Sequence, residues 1–248
     1  MKRVYEHIEQ RSVAFARQPL FELLRDETVA ASRRLSFVPF MTHFVMTFAD
    51  LYNHVLTESS PRDQYDALVN THLAEDATHW KWFLADLASA DLDPQMRFSD
   101  ALRFVWSDAT VQTRLLSYRI CQLSGRASSL QKFVIVSCIE ATGKVGLGAL
   151  AVAGGALERA IGRKLVYFGP HHVETESSHT VEAPSVRQSI EDVSLTDGES
   201  QALRVLADEI FGLFEGSVEE LNRVASSGRG FDDFAKARRA ATRDVSRS

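Results

Sequence analysis

The sequence predicts an all-α protein with a single helical-bundle domain, and three observations carry that expectation. Six prolines and thirteen glycines in 248 residues leave room for long helices. Nowhere do apolar and polar residues alternate with period two between turn residues, so strands are not expected. No linker rich in Pro, Gly or Ser divides the chain, and no repeat of about 20 to 50 residues suggests a solenoid. Residues 1–228 are read as the domain and 229–248 as a short helix or flexible tail.

The elements follow in order. Helices are expected over 3–16, 19–32 and 36–57. Ser60–Pro61 reads as an N-cap with a first-turn proline, opening a helix over 61–90. Shorter helices follow over 98–106 and 109–126. The apolar stretch FVIVSCIEATGKVGLGALAVAGGAL belongs to a helix over 129–162, punctuated by Gly162 and then by Gly169–Pro170. Glu140 and Lys144 interrupt its uncharged runs well short of the roughly 18 residues of a membrane span, so a buried core helix is expected. Helices over 171–182 and 185–193 precede the last, 197–226, where Thr196 and Glu199 form a capping box.

Composition bounds the function. With 45% hydrophobic residues the chain can bury a substantial core, and its 25% charged residues suit an ordinary soluble surface. A net charge of −5 argues against a duplex nucleic-acid partner. The N-terminus lacks the apolar run of a signal peptide, and two cysteines in apolar sequence, Cys121 and Cys138, fit a reducing cytoplasm. A cytoplasmic protein without a membrane partner is expected.

The chemistry concentrates in two stretches. In HHVETESSH, a helix turning about 100° per residue places His172, Glu176 and His179 on one narrow face. In HLAEDATHW, His72, Asp76 and His79 repeat the same His-x3-acid-x2-His spacing, with Glu75 flanking that face. A third acid, Glu140, lies in apolar sequence, where an ionised carboxylate is costly unless paired or metal-bound. Lys144, four residues on, is the plainer partner. A single stripe is more often a solvated face. Two matched stripes and an isolated carboxylate favour metal, because facing helices that offer acids and histidines build dimetal sites.

On these residues the chain resembles the haem-oxygenase-like dimetal oxidases, helical proteins related in fold to haem oxygenase and to the TenA thiaminases. Their late helix carries His-x3-(Asp/Glu)-x2-His, matched by His172, Glu176 and His179. A middle helix carries a Glu, matched by Glu140, and an early helix carries a Glu and a His, with His79 as the histidine. The resemblance runs from about residue 36 to 226. The positions three and seven before His79, where the first glutamate is usual, hold Asp76 and His72. The first carboxylate is thus Asp76 by spacing or Glu75 by a small rotation, and His72 is an extra ligand or an outer-shell partner.

The resemblance implies a haem-oxygenase-like fold and two Fe(II) ions, or Mn, bridged by a carboxylate such as Glu140, with O2 as co-substrate. The mixed oxygen and nitrogen donor set suits those metals. It implies oxidation of a small molecule such as an amino acid or fatty acid, by N-oxygenation, desaturation or C–C cleavage, with an electron donor as a further partner. Outer-shell acceptors for the imidazoles would be Glu174, Glu182 and Asp86. By spacing, His43 and Asp50 share a face that could line the cavity. Trp80 and Trp82 read as core or interface residues.

Other readings compete. A metal-independent TenA-like hydrolase would need Cys138 as nucleophile. A haem oxygenase would need His7 or His43 as axial ligand. A non-catalytic binding protein would keep both stripes as solvated faces. A homodimer is expected on general grounds alone.

Overall fold

A computed structural model describes residues 1–176, 188, 190–227 and 231, and among them every regular element is helical. The first expected helix appears as α1 (Lys2–Phe15). The second, 19–32, is instead two: α2 (Pro19–Arg25) and α3 (Ala31–Arg34). The chain turns at Asp26, whose Oδ1 accepts the Thr28 amide at 2.9 Å and its hydroxyl at 2.6 Å, a local alternative to helical bonding.

The helix expected over 36–57 is three segments. Val38–Met41 is a 3-10 turn, since Pro39 has no N–H to give, and α4 (Thr42–Asp50) follows. Leu51–Leu56 then widens into a π-helix, closed by the Thr57 amide at 3.2 Å and hydroxyl at 2.6 Å, both donating to the Tyr52 carbonyl. Such widenings cluster at functional sites. Here it seats the Tyr52 ring 6.3 Å from that of His72.

The helix expected over 61–90 starts later and is broken. Asp63, not Ser60, is the cap: its side chain accepts the amides of Tyr65 and Asp66 and opens α5 (Gln64–Asp76). After Asp76 the chain makes a tight turn, in which the His79 amide bonds the Asp76 carbonyl three residues back, before α6 (Trp80–Ser89). The next helices, α7 (Phe98–Val105), α8 (Val111–Ser124) and α9 (Ser129–Ile161), fall close to their expected limits. So does the last, α11 (Asp197–Ser227), with its Thr196–Glu199 capping box formed. Of the helix expected over 171–182, α10 (Pro170–Glu176) is described. Residues 177–182, residues 185–187 and 189, and the tail 229–248 apart from Phe231 lie outside the described residues.

α9 is the axis of the fold, packed by α1, α2, α3, α5, α10 and α11. Ser128 and Gln131 cap its start reciprocally, and Gly162 ends it in the left-handed region at φ 66°. By length and composition it is the one described helix able to cross a membrane, yet over half of its most apolar window is buried inside the protein. Phe133, Val134, Ile135 and Val136 are wholly enclosed, each such side chain contributing about 1.5–3 kcal/mol of burial. One turn beyond this apolar run comes Glu140.

Candidate metal centre

Four elements bring acids and imidazoles together beside α9. His72 and Asp76 lie one turn apart on α5, His79 in the turn before α6, Glu140 on α9 and His172 on α10. All but Glu140 are buried. His72 Nε2 lies 2.9 Å from Glu140 Oε1 and 3.6 Å from Asp76 Oδ2. The other oxygen of Asp76, Oδ1, lies 3.4 Å from His79 Nδ1, which in turn stands 3.2 Å from His172 Nε2. The five side chains form one connected line, Glu140–His72–Asp76–His79–His172, with Asp76 at its middle.

Asp76 stands between His72 and His79, each of its oxygens facing a different imidazole. Glu75 is the outer carboxylate, with Oε2 at 3.9 Å from the opposite nitrogen of His72, Nδ1. His72 is therefore in the cluster itself and not behind it.

Donor spacing tests whether these residues suit a cation. Nitrogen and oxygen ligands roughly 2.0–2.2 Å from a shared metal stand about 3.0–3.6 Å from one another. The atoms of His72, Asp76 and Glu140 all lie within 4.8 Å of each other, two of their separations being 2.9 and 3.6 Å. His79, His172 and the second Asp76 oxygen keep 3.2 and 3.4 Å. Enclosed carboxylates also require compensating positive charge. Within that spacing His72, Asp76 and Glu140 fit a cation, and His79 and His172 continue the line from the other Asp76 oxygen.

The surroundings hold the rings in place. The Trp82 ring lies on the His79 ring, centroids 4.1 Å apart at 19°, and meets His172 edge-on at 5.6 Å. The partner of His172 Nδ1 is the Tyr167 carbonyl oxygen at 3.0 Å. A neutral His172 that donates there presents Nε2 as its lone-pair nitrogen to the cluster. The loop bearing Tyr167 is fastened by Asp86, whose two oxygens accept the amides of Val166 and Phe168, each at 2.9 Å, and by Glu158, which accepts the Leu165 amide at 2.7 Å. Burial raises the Asp86 carboxyl above the usual carboxylate range, against the opposing effect of those amides. Asp86 thus acts on backbone and not directly on an imidazole.

Asp76, His79, Glu140 and His172 open onto a cavity of about 230 Å³. The rest of its wall is mainly apolar, including Phe15, Phe21, Phe44, Phe48 and Leu150, with Lys144 on the same wall as Glu140. His43 and Asp50 are not in that wall. Phe44 and Phe48, one turn apart, take the inner face of α4, leaving Asp50 exposed and turning His43 toward Tyr118 (Nε2 to OH 3.3 Å) and Trp106. Burial, then the nearby Arg114 charge, lowers the His43 pKa. His7 pairs with Asp208 at 2.8 Å on α11, away from the cavity. Cys138 is wholly enclosed, and burial pushes its thiol far up, a poor setting for a nucleophilic thiolate. His179 and Glu182, with the side chain of Glu176, lie outside the described residues.

Sequence reasoning missed Trp82 as a ring support, Trp80 as a cavity wall and the Tyr167 carbonyl as a histidine partner. The spacing of Trp82 three residues after His79 was the one available signal. No protein-family model matches the chain, and no curated protein matches it significantly.

Proposed function

We propose that the protein is a dimetal oxidase with the haem-oxygenase-like fold, using O2 to oxidise a small molecule with an apolar body. The observation that carries this reading is the convergence of His72, Asp76, His79, Glu140 and His172, the last four opening onto a mainly apolar cavity. Two ferrous ions, or manganese, would be held by His72, Asp76 and Glu140 at one end and by Asp76, His79 and His172 at the other, with Glu176 and His179 as further donors. Bound there, the metals supply the electrons and the O2 affinity that side chains lack.

The chain's own groups orient and exclude. Trp82 and the Tyr167 carbonyl fix two imidazoles, so that ligand geometry is set before any cation arrives. Phe44, Phe48 and their neighbours keep water from the substrate body and hold it beside the polar wall. The mainly apolar wall, on which Lys144 also lies one turn beyond Glu140, is in keeping with an amino acid or fatty acid. An external electron donor completes the turnover.

The test is anaerobic titration with ferrous iron followed by O2, comparing wild type with His72→Ala/His172→Ala. About two irons per chain and an O2-dependent chromophore, both lost in the double variant, are the expected result. Absence of stoichiometric iron in the wild type would sink the proposal and favour a cavity that only binds its ligand.

A further inference from the structure

We infer that Asp86 is a positioning residue for the metal centre: through the Val166 and Phe168 amides it fixes the Tyr167 carbonyl, which selects Nε2 of His172 as the ligating nitrogen. The inference rests on the metal reading above, but its geometry stands independently. Asp86 lies on α6, two turns from His79, which opens that helix. Both its oxygens are used on the loop, accepting the amides on either side of Tyr167 at 2.9 Å each. The carbonyl of that same residue receives His172 Nδ1 at 3.0 Å.

One carboxylate therefore ties the helix carrying His79 to the loop that orients His172, the two rings that face each other at 3.2 Å. A wholly buried carboxylate that only needed neutralising would be better served by a cation. Here the partners are backbone amides, which hold the loop's peptide planes and not a charge. The packing agrees: Phe83, on the same helix, meets Tyr167 and Phe168 edge-on at 5.4 and 5.8 Å. Glu158 fastens the loop from the α9 side at the Leu165 amide.

Asp86→Asn tests this, because it keeps the shape while setting an NH2 group against one of the two amides. Glu220→Gln is the matched control. Glu220 is also buried and also accepts two backbone amides, those of Gln112 and Thr113 at 2.9 and 3.0 Å, but it has no link to a histidine. Two readouts apply. In metal-free protein, long-range proton–nitrogen spectra of the imidazoles, with His172 assigned by its loss in His172→Ala, report the tautomer. The wild type and Glu220→Gln should show His172 protonated on Nδ1, and Asp86→Asn a mixture or the other tautomer.

In Co(II) titration, Asp86→Asn should bind about 10–100-fold more weakly than wild type, with a changed ligand-field spectrum, and Glu220→Gln within about twofold of it. An unchanged His172 tautomer in folded Asp86→Asn overturns the inference, whatever the metal affinity. Wild type without Co(II) or iron affinity would instead refute the metal reading, while the tautomer still decides the role of Asp86. Should Asp86→Asn not fold, Glu158→Gln, which loosens the same loop at one amide, carries both readouts.

Discussion

α9 and the α5–α6 pair supply the same centre in opposite ways. α9 runs 33 residues without interruption, capped at both ends, and delivers a single acid, Glu140. The α5–α6 pair breaks between Asp76 and Trp80 and delivers three side chains of the cluster, His72, Asp76 and His79. A continuous helix presents its side chains at fixed angles and suits a rigid wall. A broken one can direct successive donors to different neighbours, and here Asp76 turns one oxygen back to His72 and the other onward to His79. The polar cluster thus depends on regular backbone on one side and irregular backbone on the other.

The largest expected effect comes from disturbing the regular side. Gly154 of α9 lies directly under the loop that orients His172: a Cβ there would be 1.9 Å from the Phe168 carbonyl oxygen and 2.5 Å from its carbon. Both are backbone atoms, so neither can rotate away. Gly154→Ala should destabilise by about 3 kcal/mol or more, roughly 6–12 °C in Tm, and weaken metal binding by displacing Tyr167. Calorimetry and Co(II) titration check it. A variant with wild-type Tm would mean that the loop moves freely on α9, and the contrast between a rigid and an adaptable wall would fail.

A second variant sharpens the irregular side. In the turn before α6, His79 is oriented by the Trp82 ring and not by helical geometry. Trp82→Leu should lower stability by about 1–2 kcal/mol and Co(II) affinity by about tenfold, since the imidazole regains rotation. Unchanged affinity would show that the turn itself, without the stacked ring, is enough to aim His79.

This contrast also explains what was legible beforehand. The i, i+4 pairing of His72 and Asp76 and the isolation of Glu140 in apolar sequence needed only regular helix, and both were readable, as were the Gly162 end of α9 and the Thr196–Glu199 cap of α11. The break at 77–79 was not, because Ala77 and Thr78 are ordinary helix residues. The local stack of His79 on Trp82 and its tertiary contact with His172 stabilise the turn. The Tyr167 carbonyl has no side-chain signature at all. His43 and Asp50 were misplaced for another reason: their shared face is real, but the bulkier Phe44 and Phe48 claimed the cavity. Asp76 and Glu75 could not be told apart by helical angle, because both lie within reach of His72, Asp76 at 3.6 Å and Glu75 at 3.9 Å.

The smallest effect concerns the far end of α5, which must start in register for His72 and Asp76 to arrive together. Asp66 is buried in the first turn, and its carboxyl is held down to about 2, chiefly by Arg62, which donates from Nε at 2.8 Å and from its amide at 3.0 Å. A depressed carboxyl adds stability that is complete above its ordinary value near 3.8 and is lost as pH falls from there toward 2. Arg62 is half exposed, which limits the gain to about 2–4 °C in Tm. Melting curves of wild type and Asp66→Asn should therefore differ at pH 5 and converge near pH 2. A gap that persists at pH 2 would assign the role of Asp66 to packing and shape. The register of α5 would then be fixed by its apolar face, with Val69 and Leu73 setting where His72 and Asp76 fall.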